Sequence, residues 1–527
     1  MPAASLTSLY RRAARSMRPQ RSGRPGGFEL LVVPPSLRPA DDLFLAEWSA
    51  GSFALAGHSL DVSARSPLEL ADAPLAWMQA LHGFGWLRHV PLFPDSETAN
   101  RVHALVAKWL SSGRRSGIAM SDAVVARRVL SWLAHADLLL QTPDSRFYDA
   151  VVDSLADDVR LLERNASALA PGADRVVSLI ALAQAGLCLS GSDRLLHDAE
   201  KALEIDTDPR NASSAGDLWR HPDRAVECLL DLETLRLLYV MAGLSVPAFL
   251  QSAVAATARR LGSLSLGDGH LARLGSARSA ADADLTLTMA VRYVGLPDVA
   301  ACHDPIAGHM RLALGRTCAI LDVGAPYDCA DALGMEMSSG DAPFLVHDGF
   351  DTFSGQAGRA TLVLNCLAPS KLPPAPTLEP THTADLDLAD ATVQRADATH
   401  AGFLRRGLAH RRRVTLACGG RRLAGMDELR PLAGRAEPPD QLCAVRFVTH
   451  PSVEIAIAAT PSTLDIKLRN GHRWRLEALG HDVSVEGAVY RDGLKTRPTL
   501  QILIMSNPAT GRSVNWNFTR MDGLDAG

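Results

Sequence analysis

Apolar residues recur at helical spacing through the first half of the chain. Val102, Leu105, Val106, Trp109 and Leu110 stand at i, i+3, i+4, i+7 and i+8, on one stripe of a helix. The same pattern predicts amphipathic helices over Val124–Leu140, Phe147–Leu162, Val176–Leu189, Ala225–Tyr239 and Phe249–Leu261. Ser112-Gly113, Pro171-Gly172, Gly191 and Gly243 are the stops between them. Consecutive helices on short links pair antiparallel, so this half is expected to be a curved array of helical hairpins. It lacks the strict repeat of a tetratricopeptide solenoid.

Beyond about residue 305 the period shortens to two. Arg311–Leu314, Thr317–Val323, Thr361–Leu364 and Val453–Ile457 read as strands. Asn470-Gly471, a tight-turn signal, separates the alternating runs Thr463–Leu468 and Arg473–Glu477. Many short strands without helical crossovers favour an antiparallel sandwich over a parallel sheet. The expected organisation is a basic arm (1–27), a helical domain (28–300) and a β-sandwich domain (301–527), with Lys371–Pro376 as an extended loop inside the sandwich.

Composition narrows the classes. A chain of 527 residues exceeds a single small module, and 47% hydrophobic with 21% charged residues excludes wholesale disorder. With 54 Lys+Arg against 58 Asp+Glu the net charge is −4, which gives no global footprint for nucleic acid. Arg11, Arg12, Arg15, Arg18, Arg21 and Arg24 precede the first acid, Glu29. This arm is expected to be disordered, and it lacks the apolar core of a secretory signal. No run of 18 apolar residues predicts a membrane span. The eight cysteines are scattered without a Cys-x-x-Cys pair and are expected to be buried small hydrophobes, neither a disulfide framework nor a zinc site.

Several segments resemble the heparinase II/III family of polysaccharide lyases, in its compact bacterial branch. They are Leu81–Arg88 (LHGFGWLR), Arg127–His135 (RRVLSWLAH), Glu336–Gly340, Leu362–Cys366, Thr381–Thr383, His410–Arg413, Arg446–Pro451 and Val489-Tyr490, in the family's order. The resemblance implies an incomplete α/α toroid followed by an antiparallel β-sandwich. It also implies an acidic, uronate-containing polysaccharide or oligosaccharide as partner, no cofactor, and a place in the cell envelope or periplasm. Because no signal peptide is recognisable, the cytoplasm is the alternative.

Such lyases work by β-elimination. A donor or cation neutralises the uronate carboxylate, a base removes the adjacent proton, and an acid protonates the leaving oxygen. The resemblance points to His221 for the first role, with Arg220 as a carboxylate clamp, in Trp219-Arg220-His221-Pro222 at a helix start. The bland reading is an ordinary exposed histidine there. His382 is the expected proton acceptor or orienter, against a plain loop histidine. His450 is a third family-like histidine, though a histidine before proline at a strand end is more often structural. Where the family places a tyrosine, Asp268–Gly275 has none, and His270 or Arg273 is the available substitute. Of the six tyrosines, Tyr239 reads as helix core and Tyr490 as strand core.

The metal that some members hold in the sandwich finds no clear ligand set, so none is expected. Asp341–Phe353 reads as an insertion, with His347 and Asp348 at a cleft or at a solvated tip. The run Arg405, Arg406, Arg411, Arg412, Arg413, Arg421 and Arg422 should alternate faces on strands, so that about half reach any one cleft. Three functions stay open: a uronate lyase, a non-catalytic relative that binds glycan or assists envelope polysaccharide metabolism, and an inverting glycosidase built on Asp217, Asp223 or Glu227.

Overall fold

The structure is a computed structural model. It describes residues 29–112, 117–142, 144–208, 216–273, 283–324, 332–348, 361–364, 383–401, 403, 407–432, 443–458, 460–492, 495–506 and 513–522. The chain forms an α/α toroid followed by antiparallel β-sheets of the sandwich type. Two compact units result. The first takes in the chain up to Gly216 with Arg224–Ala258 and Ala280–Gly295; the second takes in Asp217–Asp223, Arg259–Ser279 and Leu296 onward. Two stretches from the helical half of the sequence therefore pack with the strands.

The helices, in order, are α1 (Phe44–Ser49), α2 (Leu75–His82), α3 (Ser96–Ser112), α4 (Asp122–Ala134), α5 (Ala136–Leu140), α6 (Ser145–Ala166) and α7 (Ala173–Cys188). There follow α8 (Asp193–Asp206), α9 (Gly216–Trp219), α10 (Pro222–Ala242), α11 (Ala248–Leu264) and α12 (Ala283–Tyr293). A small hairpin, β1 (Ser52–Leu55) with β2 (His58–Asp61), sits after α1. The expected Val124–Leu140 helix is broken at His135. Its backbone N–H and its Nδ1 both address the Ser131 carbonyl, at 3.0 and 2.7 Å, and the residue leaves helical geometry. The α6 helix starts where Asp144 accepts from the Arg146 and Phe147 N–H groups.

Aromatic rings fill one end of this unit. Phe44, Trp48, Phe53, Trp77, Phe84, Trp86, Trp109 and Trp132 are all buried and meet mostly at tilted or edge-on angles, with Phe44 stacked on Trp86. Among them lies the wholly buried Arg128. It meets the Asp158 carboxylate at 2.7 and 3.0 Å, donates to the His82 and Ala119 carbonyls, and stacks 4.6 Å over Trp109.

The second unit contains β3 (Cys302–Asp304), β4 (His309–Leu314), β5 (Thr317–Asp322), β6 (Met335–Ser339), β7 (Ala342–Leu345), β8 (Thr361–Leu364), β9 (Thr383–Asp390), β10 (Val393–His400) and β11 (Leu408–Ala417). The rest are β12 (Arg422–Pro431), β13 (Cys443–Val448), β14 (Glu454–Ile457), β15 (Thr463–Lys467), β16 (Arg473–Glu477), β17 (Asp482–Asp492), β18 (Lys495–Met505) and β19 (Ser513–Arg520). All described pairings are antiparallel. The sheets run β3-β4-β5-β6-β7, β17-β18-β13-β8 and β14-β15-β16-β19-β12-β11-β10-β9. The β15–β16 hairpin turns at Asn470-Gly471, as the sequence predicts.

Strand β5 is buried along its whole length because both faces are covered. Ala319 and Leu321 enter the main core with Phe344, Phe447, Trp474, Trp516 and Phe518, while Cys318 and Ile320 meet Leu264, Leu266 and Ala272. The arginine run alternates as expected. Arg412 points inward and is fully buried, Arg413 is exposed, and Arg411 pairs with Asp397 across the strand; Arg405 and Arg406 lie outside the described residues.

Of the two readings of His347 and Asp348, burial after β7 excludes the solvated tip. One expectation is corrected. Among the described cysteines Cys418 is exposed, in a left-handed turn after β11, while Cys188, Cys228, Cys318 and Cys443 are buried. Among the described residues no helix is long and apolar enough to cross a membrane.

The Trp516 indole lies flat against Gly425. A Cβ at that glycine would stand 2.0 Å from the ring, whereas one at Gly487 on β17 meets nothing within 4 Å. Gly425→Ala should therefore cost about 3 kcal/mol or more through overpacking, seen as a lowered urea midpoint, while Gly487→Ala should leave the midpoint within experimental scatter. Equal midpoints for the two variants would contradict this packing.

Candidate functional site

The turn from α9 into α10 carries Trp219, Arg220 and His221, and Pro222 opens α10 because its missing N–H costs nothing there. Arg220 does not face solvent; it is 7% exposed. Its guanidinium holds both Asp322 oxygens at 2.7 and 3.0 Å and donates to the Ala307 and Gly308 carbonyls at 3.0 and 3.2 Å. Gly308 and Gly324 form its walls, where added Cβ atoms would stand 2.9 and 2.3 Å from a guanidinium nitrogen. Beside it Arg260 stacks 4.5 Å over Trp219 and meets Asp304 at 2.7 Å. His221 is buried, so the picture of an ordinary exposed histidine does not hold. His382 lies outside the described residues.

A second cluster surrounds Tyr490 on β17. The Arg273 guanidinium lies 5.6 Å over its ring and the His450 ring meets it edge-on at 5.4 Å. Arg273 is placed by its backbone N–H, which donates to Glu336 Oε1 at 2.6 Å, and by its side chain, which donates to the Arg491 carbonyl at 3.0 Å. Asp348 stands 3.5 Å from His347 and 3.9 Å from Arg446. His450 lies 2.7 Å from the Ser452 hydroxyl; burial, then the Arg469 charge, pushes it down to about 4. His270 is half exposed, 3.4 Å from Asp268. The segments around Arg273 and His450, far apart in sequence, thus meet at Tyr490. No spacing signals this partner, which is 8% exposed and looks like strand core.

A third feature is a small, partly open cleft inside the first unit, lined in part by Arg38, Arg88, Arg127, His135, Gln184 and Asp231. Arg38 reaches Asp231 at 2.9 Å and Glu227 at 3.5 Å; Arg127 reaches Glu227 at 2.9 Å and also pairs with Asp231. Burial alone would raise the Glu227 carboxyl, but the Arg38, Arg127 and Arg88 charges outweigh it and hold it at about 2. A glycosidase needs a carboxyl raised enough to donate a proton. Glu227 is shifted the opposite way, which rules it out as the proton donor of the glycosidase reading.

Within the sandwich, His410 Nε2 and Arg412 Nε share one Asp427 oxygen at 2.7 Å each, and Trp516 donates to the other at 2.8 Å. These atoms satisfy one another and do not converge on a vacant point. Among the described residues no group of three His, Cys, Asp or Glu is placed to hold a metal ion.

Residues 303–517 match the family model described as heparinase II/III-like, C-terminal. The second half of the chain thus carries a domain similar to the C-terminal domain of the heparinase II/III family. The whole chain aligns with solved structures from this group. It superimposes on heparinase III with a TM-score of 0.68 at 12% identity, covering 98% of this chain and 89% of that one. A heparan sulfate lyase mutant from Pedobacter heparinus gives 0.60 at 14%, covering 99% and 88%. At such identities these likenesses speak to the fold. In sequence, the FtsZ-localized protein C of Caulobacter vibrioides (strain NA1000 / CB15N) is 26% identical over 541 residues, covering 95% of this chain and 91% of the relative.

The buried histidines of the fold set its acid response. Burial, reinforced by Arg128, pushes His82 down to about 4, and burial first, with Arg220 and Arg260, pushes His309 down to about 4. Both are neutral when folded, while the unfolded chain takes up protons below about pH 6.5. Their contribution is thus complete above pH 6.5 and lost as pH falls toward 4, on the order of 3 kcal/mol each. Urea midpoints should drop steadily between pH 7 and pH 4.5, and less steeply in His309→Asn. A flat profile would contradict the assignment.

Proposed function

We propose that this protein is a glycan-binding member of its family that works at the bacterial division site, in the cell envelope, without the family's elimination chemistry. The observation that carries this reading is the Arg220–Asp322 pair. The cation expected beside a substrate carboxylate is spent on two carboxylate oxygens and two carbonyls of its own fold. The Asp268–Gly275 segment, moreover, has no tyrosine for the leaving oxygen. The place of action is drawn from the relative named for its localisation with FtsZ, which this chain matches over nearly its full length.

A uronate lyase is the second reading, and the Tyr490 cluster favours it. A phenol beside a guanidinium and a neutral imidazole has the group types that elimination requires.

One set of measurements separates them. Incubated with heparan sulfate, alginate or envelope glycan, the protein should retain polysaccharide in affinity electrophoresis without producing the ultraviolet absorbance of an unsaturated uronate. A fluorescent fusion should gather at mid-cell in a dividing bacterium. Sustained absorbance that falls about a hundredfold or more in His382→Ala, His221→Ala or Tyr490→Phe would establish the lyase instead. Absence of both polysaccharide retention and mid-cell signal would defeat the leading reading.

A further inference from the structure

Hairpin turns of the second unit interlock around a group of arginines. The β4–β5 turn, Gly315-Arg316, lies so close to the β11–β12 turn that a Cβ at Gly315 would stand 2.2 Å from the Gly419 carbonyl oxygen. Beside it the Thr317 hydroxyl donates to the Gly420 carbonyl at 2.6 Å. The Gly340 N–H of the β6–β7 turn donates to the Arg316 carbonyl. A Cβ at Gly340 would meet the Arg316 guanidinium at 3.1 Å and the Asn470 amide of the β15–β16 turn at 3.2 Å. Arg520 closes the group at the end of β19, where its backbone N–H donates to the Arg421 carbonyl at 2.8 Å.

Three guanidiniums, those of Arg316, Arg421 and Arg520, thus come together. Arg421 donates to the Asp522 carbonyl at 2.7 Å, so backbone holds it in place. Arg316 is exposed, and among the described residues its guanidinium has no hydrogen-bonded partner. Nε and Nη1 of Arg520 are buried and likewise have none. Buried N–H groups are costly to leave unmet, so these two atoms call for an acceptor. The Asp522 carboxylate is engaged elsewhere, with the Arg473 backbone N–H at 3.0 Å from each of its oxygens. Three cations against this one anion leave two positive charges in excess. On the flank Arg469 and Asp341 cancel, with Arg469 donating to the Asp341 carbonyl at 2.6 Å. The fields of the group overlap. Burial first, then the Arg421 and Arg316 charges, pushes Arg520 down against the pull of Asp522, and burial, then Arg520 and Arg316, pushes His472 down.

An excess of two charges suits an anion that carries two. A carboxylate brings one charge and two coplanar oxygens, which a single guanidinium fork can satisfy. A sulfate ester also brings one charge. A phosphate monoester brings up to about two charges and three acceptor oxygens, enough for more than one fork.

We propose that this group binds the phosphate of a phosphate monoester, with Arg316 and Arg520 donating to its oxygens and Arg421 adding fixed charge beside them. Because Arg316 is exposed, the site takes a terminal phosphate from solvent and needs no enclosing cavity. No bond is made or broken.

Phenyl phosphate, phenyl sulfate and benzoate put the three anions on one ring. Titration calorimetry of the full-length protein, above the second phosphate pKa of about 6, should show phenyl phosphate binding that salt weakens, with the other two at least about tenfold weaker. Arg316→Met removes a guanidinium that no described residue bonds, so its urea midpoint should stay at the wild-type value while phenyl phosphate binding falls about tenfold or more. Arg413→Met, an equal loss of charge at an exposed position on β11, should bind as the wild type does. Vesicles of phosphatidic acid in phosphatidylcholine identify the source of the phosphate. Sedimentation with them that phenyl phosphate reverses points to a lipid headgroup, and phenyl phosphate binding without sedimentation points to a soluble ester; either agrees with the site. No phenyl phosphate binding, equal or tighter binding of phenyl sulfate or benzoate, or equal affinities in Arg316→Met and Arg413→Met overturns the proposal. Its failure would leave the glycan-binding reading standing.

Discussion

A guanidinium taken out of water must meet a carboxylate and fill its remaining N–H bonds, and both units are organised around this requirement. In the first, Arg128 reaches Asp158 and ties α4 to α6 and to the carbonyl that ends α2. In the second, Arg220 reaches Asp322 and joins the α9–α10 turn to the end of β5, and Arg412 reaches Asp427 and Leu333 in the sandwich core. In each case removing one partner strands a buried charge, a loss of about 3–5 kcal/mol. Neighbouring choices follow: Gly308 and Gly324 leave room for Arg220, and Trp516 completes Asp427.

This economy governs what is left for a ligand. A net charge of −4 looks unsuited to a polyanion, yet it says little when so many arginines are spent internally. In the first unit, for example, Arg38 and Arg127 each pair with both Glu227 and Asp231. What matters is local excess. Recognition of an acidic sugar needs only fixed positive charge, whereas elimination also needs groups tuned to move a proton.

The architecture was readable from the sequence because each element buries a periodic face. The helical stripes, the change of period near residue 305, the Asn470-Gly471 hairpin and the alternation of Arg411, Arg412 and Arg413 are local consequences of 3.6- and 2-residue geometry. Other features were not local. Trp219–His221 and Arg259–Arg273 have helical-half character but belong to the strand-rich unit, since Asp322 and the outer face of β5 recruit them. Periodicity cannot report such recruitment. It also read Tyr490 as plain core, because burial and strand position look alike whether or not a guanidinium lies on the ring. Arg220 was legible as a clamp, but not that its carboxylate is the protein's own.

The histidines carry the last step. A general base works best when its pKa lies near the working pH. His450, the imidazole beside Tyr490, is pushed down to about 4 by burial and the Arg469 charge, and His309, near Arg220, to the same level by burial. Both are neutral at pH 7 and so free to accept a proton, yet each binds it weakly, and abstraction of a carbon-bound proton gains little driving force from so weak a base. Neutral imidazoles in buried positions are better suited to fixed hydrogen bonds, as His309 has with Ser263 and His450 with Ser452. The electrostatics around these two imidazoles thus make His309 and His450 poor proton acceptors, which is a physical ground for placing recognition ahead of elimination.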